Sequence, residues 1–497
     1  MERRPVERVR GTQDSWPPEA AQLASVRERL EETFASFGYS RIDVPVLEPA
    51  ELHLRKSGLE IISKLYAFED QGGRRLCLRP ELTASVVRAL VAQTPARLPV
   101  RLYATGPVFR YERPSKGRYR QFTQSGVELI GADDPRADAE VIHLAMHALD
   151  RLGLSGYRVT VGHVGFLAEL LTSLGLGTRL RTFLVESLEE ARRRGIDAVR
   201  QRLMQLDPEL FEDRDRALAD AEDEVVVRDA VAGFLTELGS EALGRRSEED
   251  VVGRILRKLR PSAGKAAIEQ ALSFMARLGE IRGDPQEALS RGRQLLAEHG
   301  LGEEPLIQLE HTVQLLGEYG ADLSHVEVDL GLGRGLQYYT AMVFEIDHSG
   351  LGRESQLCGG GRYDDLARSL GGKTSLPALG FAFGVERVRL ALEAEGQALQ
   401  PTKTSRVFVL PSEPEHAGYA ARVAQGVRAA GFHAQLEVAA RPLRASLAFA
   451  DKEGFTRVVL VGAAEQAAGT LRVKDMADGS ERVVGLDESD ALRRALV

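Results

Sequence analysis

The chain has 497 residues, too many for a single hydrophobic core, so two to four domains are expected. At 43% hydrophobic and 28% charged residues it has the composition of a soluble globular protein, and no apolar run approaches the roughly 18 residues of a membrane span. A net charge of −8 excludes a uniformly basic chain but allows a local basic surface, and Cys77 and Cys358, far apart and outside any CxxC, offer neither a disulfide framework nor a zinc site.

The N-terminus, MERRPVERVRGTQD, is charged and lacks the apolar core of a signal peptide, so a cytoplasmic protein is expected. Residues 20–37 read as an amphipathic helix ending near Gly38. IDVPVLEP follows as a strand that Pro45 and Pro49 confine to an edge. KLYAFEDQGGRRLCLRPE predicts a hairpin turning at Gly72-Gly73, and LTASVVRALVAQ a helix. RLYATGPVFRYE and RQFTQSGVELIG alternate as two antiparallel strands joined by the polar loop RPSKGRY, and a helix is expected over 138–152. From about Gly162 to Gly320 strand signals vanish and helix formers dominate. Strand texture returns in VEVDLGLGRGLQYYTAMVFEID, followed by CGGGRYDDL, read as a glycine-rich turn, and a helical GVERVRLALEAEG. GQALQPTKTS reads as a linker, and beyond it RVFVLP, AQLEV and RVVLVG alternate with helices as a small α/β domain.

The expected organisation is therefore an α+β core in two parts, 1–160 and 323–395. These are interrupted by a helical insertion over 161–322 and followed by a linker, 396–404, and an α/β domain, 405–497.

The stretch FRYERPSKGRYRQFTQSGVEL, residues 109–129, carries most of the chemistry. Four arginines and a lysine crowd its first twelve residues, and a glutamate closes it among apolar neighbours. Arg110 and Glu112 alternate with Phe109 and Tyr111 along one expected strand, where the planar fork of Arg110 could clamp a phosphate. Phe122 could offer its face to a purine. Gln124, Gly126 and Glu128 then follow at period two as a polar row leading to a terminal acid. A charged hairpin with solvated arginines is the competing reading. Arg334 sits between glycines before Tyr338 and Tyr339, where the backbone can approach a ligand closely or simply form a tight turn. GLGRG lacks the spacing and following helix of a dinucleotide fingerprint. Arg387 opens a helix, where it could face an anion or solvent.

Together these segments resemble the signature motifs of class II aminoacyl-tRNA synthetases, and in detail the histidyl-tRNA synthetase family. The resemblance rests on RGTQD, Pro45, LRPELT, the 109–129 stretch, RGLQYYTAMVFE, GGGRYD and GFAFGVER, and covers roughly residues 8–155 and 325–495. It implies a class II synthetase-like antiparallel sheet with flanking helices, a C-terminal anticodon-binding-like domain and a homodimer. It implies that Arg110 and Arg387 bind ATP phosphates, Glu112 lies near adenine and Phe122 stacks on it. Glu81, Thr83 and Gln124 would receive the amino group of histidine, and Glu128 with Tyr338 and Tyr339 would line the imidazole. Arg334 would sit beside the carboxylate and α-phosphate, with Arg110 the second catalytic cation. Mg²⁺ would bridge ATP oxygens, with no protein ligands assigned. RPSKGRY would face the acceptor end of a histidine tRNA, whose anticodon would meet residues 405–497.

Three departures accompany the match. Gln337 stands where the family signature carries an aspartate. GLEIISKLYAF lacks part of the usual run before its tyrosine. VTVGHVGFLAELL is similar to the regulatory subunit of ATP phosphoribosyltransferase, a non-charging histidine-binding paralogue that would instead partner that enzyme's catalytic subunit. A basic cluster in the insertion, Arg245, Arg246, Arg254, Arg257, Lys258 and Arg260, could meet tRNA phosphates or be a solvated helix face.

Overall fold

The computed structural model describes residues 5–57, 64–93, 97–206, 265–333, 339–397 and 406–496. Arg334, Gln337, Tyr338, the basic cluster of the insertion and most of the expected linker lie outside the described residues. The chain forms two compact units, Met1–Leu399 and Gln400–Val497.

In the first unit, helix α1 (Glu19–Ser36) leads through β1 (Ser40–Arg41) and β2 (Leu47–Pro49) into α2 (Ala50–Ser57). The proline-rich IDVPVLEP is thus largely irregular rather than one strand, since proline cannot donate to a ladder. β3 (Tyr66–Glu69) and β4 (Arg75–Leu78) form the expected hairpin, and β2-β4-β3 make a small antiparallel sheet. After α3 (Thr83–Ala92) come β5 (Val100–Phe109) and β6 (Gln121–Ile130), paired antiparallel along ten residues.

Helix α4 (Pro135–Leu152) shows why its boundaries fall where they do. The Asp134 side chain accepts the Arg136 N–H as an N-cap, Pro135 opens the first turn, and Gly153 ends the helix in a left-handed conformation. Its apolar face buries Val141, Ile142, Ala145 and Leu149 in the main core.

β7 (Tyr157–His163) is followed by the short helices α5 (Gly165–Ser173), α6 (Thr178–Glu186), α7 (Leu188–Arg194) and α8 (Ile196–Leu206). After the undescribed stretch come α9 (Lys265–Gly279), a two-residue strand β8 (Arg282–Gly283), α10 (Pro285–Glu298) and α11 (Glu304–Glu318). Strand signals do not vanish completely here: β8 pairs with β9 (Val326–Asp329) at the sheet edge. Phe274, Leu295 and Leu306 from these helices share one core with α1 and α4, so this region is packed on the sheet rather than beside it.

The remaining strands are β10 (Met342–His348), β11 (Gln356–Arg362) and β12 (Ala378–Gly384), with α12 (Leu366–Ser369) before β12 and α13 (Val385–Ala394) after it. The nine strands run in the order β1-β5-β6-β12-β11-β10-β7-β9-β8 and are mostly antiparallel. The glycine run Cys358–Gly361 is therefore a central strand, not the expected turn. Its glycines are needed for cross-strand contact: Gly361 pairs with Gly380, which pairs with Glu128.

The second unit has β13 (Arg406–Pro411), α14 (Ala417–Ala429), β14 (His433–Leu436), α15 (Leu443–Lys452), β15 (Arg457–Val461), α16 (Ala463–Ala468), β16 (Thr470–Asp475), β17 (Glu481–Gly485) and α17 (Ser489–Leu496). β14, β13 and β15 are parallel, as the alternating pattern requires, and β16 and β17 extend the sheet antiparallel.

Candidate active site

The floor of the site is β6, flanked by β5 and β12. Gln124 lies opposite Gly106 on one side and Gly384 on the other, and Glu128 lies opposite Gly380. These neighbours have little choice of side chain. A Cβ on Gly380 would strike the Glu128 carboxylate, and one on Gly106 would strike the guanidinium of Arg79. The glycines thus keep open the space above a row of polar groups on a strand otherwise walled by apolar residues.

At one end of the row stands Arg110. The structure corrects its setting: β5 ends at Phe109, and Arg110 and Glu112 lie in the loop beyond it rather than on a strand. Arg110 Nε donates to Pro80 O at 3.0 Å, and its guanidinium lies 5.3 Å from the centre of the Phe122 ring. Glu112 receives Arg118 Nε at 2.6 Å and has Lys64 Nζ at 4.0 Å. Burial opposes its ionisation, but Arg118 and Arg110 hold its pKa below the usual carboxylate value. Arg387, in the first turn of α13, donates to Gly117 O (2.7 Å), Gln356 O (2.8 Å) and Glu354 (2.9 Å). Arg118 reaches Glu354 as well, at 3.7 Å, so the loop 113–119 is tied to both arginine settings. Neither Arg118 nor Glu354 was singled out from sequence; in a run this rich in arginine, nothing local distinguishes the one that bridges two carboxylates.

At the other end, Glu81 and Thr83 enter at the start of α3. Gln124 Oε1 accepts the Leu82 N–H at 3.2 Å, and Glu81 Oε1 accepts the Ala84 N–H at 3.0 Å. Burial opposes ionisation of Glu81, yet Lys56 at 2.8 Å and His53 at 3.6 Å bring its pKa down to about 2. Glu128, 5% exposed, is the opposite case. Burial pushes its pKa up to about 7, although the hydroxyls of Thr83 and Tyr363 bond its carboxylate and favour the charged form. Two carboxylates of one site thus differ in pKa: Glu81 is in contact with the buried Lys56 ammonium, whereas Glu128 is bonded by hydroxyls and feels Lys56 only as a lesser effect.

Tyr339 packs against Gly361 and shares an apolar cluster with Tyr363, placing it on the Glu128 side. Tyr363 is fully buried, and its position is fixed from below. Arg362 pairs with Asp138 of α4 at 2.8 Å and donates to Ala132 O at 2.9 Å. Tyr363, Lys56 and His53 are site residues that the sequence reading did not assign. Tyr363 lies inside the quoted GGGRYD, whereas HLRK on α2 resembles an ordinary solvated helix face.

The structure therefore brings Arg110, Phe122, Glu112 and Arg387 to one end, and Glu81, Thr83, Gln124, Glu128 and Tyr339 to the other. Pro80-Glu81 is the link between them. The N-terminal segment joins at the arginine end, where Gly11 O accepts the Arg120 N–H at 2.8 Å. A cleft of about 940 Å³ lies between residues 7–14 and Pro114, Ser115 and Tyr119. Among the described residues no group of three or more His, Cys, Asp or Glu is arranged to hold a metal ion, and no helix is long and apolar enough to cross a membrane.

A mostly antiparallel sheet with an arginine–aromatic pair at one end of a strand and a buried acid at the other, in a chain that also carries a separate mixed α/β unit, defines a class II aminoacyl-tRNA synthetase. Within that class the chain belongs to the histidyl-tRNA synthetase family. The family's model matches residues 11–243 and 236–388, and that of the anticodon binding domain matches residues 406–492. Histidine–tRNA ligase of Methanocaldococcus jannaschii is 33% identical over 488 residues, covering 97% of this chain and 98% of its own. That of Methanosphaerula palustris is 36% identical over 485 residues, covering 97% of each. The crystal structure of apo histidyl-tRNA synthetase from S. aureus superposes with a TM-score of 0.65 at 26% identity, covering 99% of both chains.

Proposed function

We propose that the chain is a histidine–tRNA ligase that activates histidine with ATP and transfers it to the 3′ end of histidine tRNA. The observation that carries the reading is the polar row itself: an ionised Glu81 for an ammonium, Gln124 between, and a buried Glu128 with Thr83 and Tyr363 for an imidazole. An imidazole offers one N–H donor and one acceptor nitrogen, which a carboxyl group titrating near neutrality can match.

Phe122 supplies the face on which adenine stacks, with Glu112 beside it, and the guanidinium groups of Arg110 and Arg387 meet the phosphates. A histidine carboxylate oxygen attacks the α-phosphorus, the bond from that phosphorus to the α,β-bridging oxygen breaks, and pyrophosphate leaves with the electron pair. Arg334, which the resemblance puts at the carboxylate and α-phosphate, together with Arg110, offsets the charge that develops there. Such stabilisation is commonly ~3 kcal/mol per donor. The terminal ribose hydroxyl of the tRNA then attacks the acyl carbon and AMP departs. Glu112 and Glu354 are the carboxylates at this end, and both are held by arginines, so a Mg²⁺ ion would draw its ligands chiefly from ATP and water. The ion, when bound, neutralises phosphate charge.

The loop 113–119 faces the acceptor end in this reading, and the C-terminal unit takes the anticodon. The enzyme works in the cytoplasm as a homodimer, and sedimentation as a monomer at micromolar concentration would remove that part. The deciding experiment is histidine-dependent ATP–pyrophosphate exchange followed by charging of histidine tRNA. Both activities support the ligase. Histidine binding without exchange would replace it with the histidine-sensing subunit of ATP phosphoribosyltransferase.

A further inference from the structure

Lys56 is an ammonium buried at the back of the site. Its side chain is 1% exposed, as is that of His53, and their i, i+3 spacing on α2 turns both toward Glu81. Lys56 Nζ lies 2.8 Å from one carboxylate oxygen of Glu81, and His53 Nδ1 lies 3.6 Å from the other. The Glu81 side chain is itself 14% exposed. Its carboxylate is therefore held by α2 on one side while part of the side chain stays exposed. Burying a lysine is costly, and a helix face packed against α3 could be filled by an apolar residue at lower cost. Fold stability therefore gives no reason for an ammonium at this position.

We infer that Lys56 is a positioning residue for the amino-acid subsite: its ammonium fixes the orientation and charge of Glu81, whose open face then meets the α-ammonium of the bound amino acid. This rests on the histidine-activating reading above. The other groups facing Glu81 do not substitute for Lys56. His53 is neutral near pH 7, because burial lowers its pKa to about 4. Arg79, at the end of β4, directs its guanidinium to the carbonyls of Val44 (2.6 Å), Pro45 (3.1 Å) and Pro107 (2.9 Å). Glu128, on β6, is an acid and brings no positive charge to Glu81. Thr83 and Tyr363 carry hydroxyls bonded to Glu128. Among the described residues this leaves Lys56 as the cation in contact with Glu81.

The test compares the full-length chain with Lys56→Met, Lys56→Arg, Glu81→Gln and the double variant Lys56→Met/Glu81→Gln in histidine-dependent pyrophosphate exchange. Lys56→Met should raise the KM for histidine about tenfold or more while the KM for ATP stays within about twofold. The acid limb of kcat/KM for histidine should move toward neutral pH, because Glu81 loses the partner that keeps it ionised. Lys56→Arg should recover most of both effects, which a purely structural role would not require. In the Glu81→Gln background Lys56→Met should change the histidine KM by less than about twofold, since neighbours acting through one group are not additive. An unmoved histidine KM and acid limb in Lys56→Met, or losses that multiply in the double variant, would overturn the proposal. If Lys56→Met alone does not fold, the double variant against Glu81→Gln decides: equal kinetics support it, and a further tenfold loss overturns it. No exchange in the unaltered chain would overturn the functional reading together with the proposal. Exchange in the unaltered chain with an indifferent Lys56 would overturn the proposal alone.

Discussion

The Tyr363 hydroxyl, one residue beyond β11, donates to the buried carboxylate of Glu128 on β6. The two residues are 235 apart in sequence, and the β6-β12-β11 pairing is what joins them. Because burial raises the Glu128 pKa while this bond opposes the rise, Tyr363→Phe should push the Glu128 titration above its value of about 7.

That titration sets a pH dependence of stability. The folded-state pKa lies above the ordinary carboxylate value, so the stability tied to protonated Glu128 is fully present below about pH 4.5 and is lost as pH rises through about 7. Glu128→Gln has no charge to bury. Its melting temperature relative to the unaltered chain should therefore be higher at pH 8 than at pH 5, and melting curves across that range measure it. A constant difference would remove the buried-acid account.

Glu128→Gln should also weaken histidine binding by roughly 10- to 100-fold, the cost of losing a hydrogen bond to a charged group in a buried site. ATP binding should change little, because Phe122, Arg110 and Arg387 are at the other end of the row. Calorimetric titration with each ligand separates the two, and an unchanged histidine affinity would sink the imidazole assignment.

Arg387→Lys keeps a positive charge but loses the fork that reaches Gly117 O, Gln356 O and Glu354 together. The KM for ATP in pyrophosphate exchange should rise about tenfold, with the histidine KM within about twofold. Equal effects on both would indicate general disruption of the sheet end instead.

Arg362→Met should destabilise the first unit by about 3–5 kcal/mol, because Asp138 is left buried and unpaired. Burial already raises the Asp138 pKa to about 6 against the pull of Arg362. Adding Asp138→Leu should restore much of the loss. Denaturant unfolding of both variants checks it, and an unrecovered double variant would mean that packing of Arg362, not its charge, matters.

Much of this was legible in the sequence. The β5–β6 hairpin, the period-two row from Gln124 to Glu128 and the C-terminal alternation follow from local pattern, and the structure has them. What could not be read was whatever depends on partners distant in the chain. The three glycines after Cys358 have no side chains to show alternation, so a central strand reads as a turn; neighbours distant in sequence, Phe344 and Gly380 at Gly360 and Tyr339 at Gly361, explain them. Arg110 looked like a strand residue because the alternation continues past Phe109, although the backbone leaves the ladder there. Lys56 and His53 have the composition of a wet helix face, and burial by α3 is what reverses their meaning.

The carbonyl that anchors Arg110 belongs to Pro80, and the next residue is Glu81. In the proposed function, one peptide unit would therefore serve as the origin from which both reactants are measured. ATP would be located by the arginine on one side of it and the amino acid by the carboxylate on the other, so the reacting atoms would meet at a separation that neither pocket can alter alone. The far mark of the ruler would be Glu128 with Tyr363. A change of amino-acid preference in this scaffold would have to move that mark, since shifting the origin would carry the phosphates along with it.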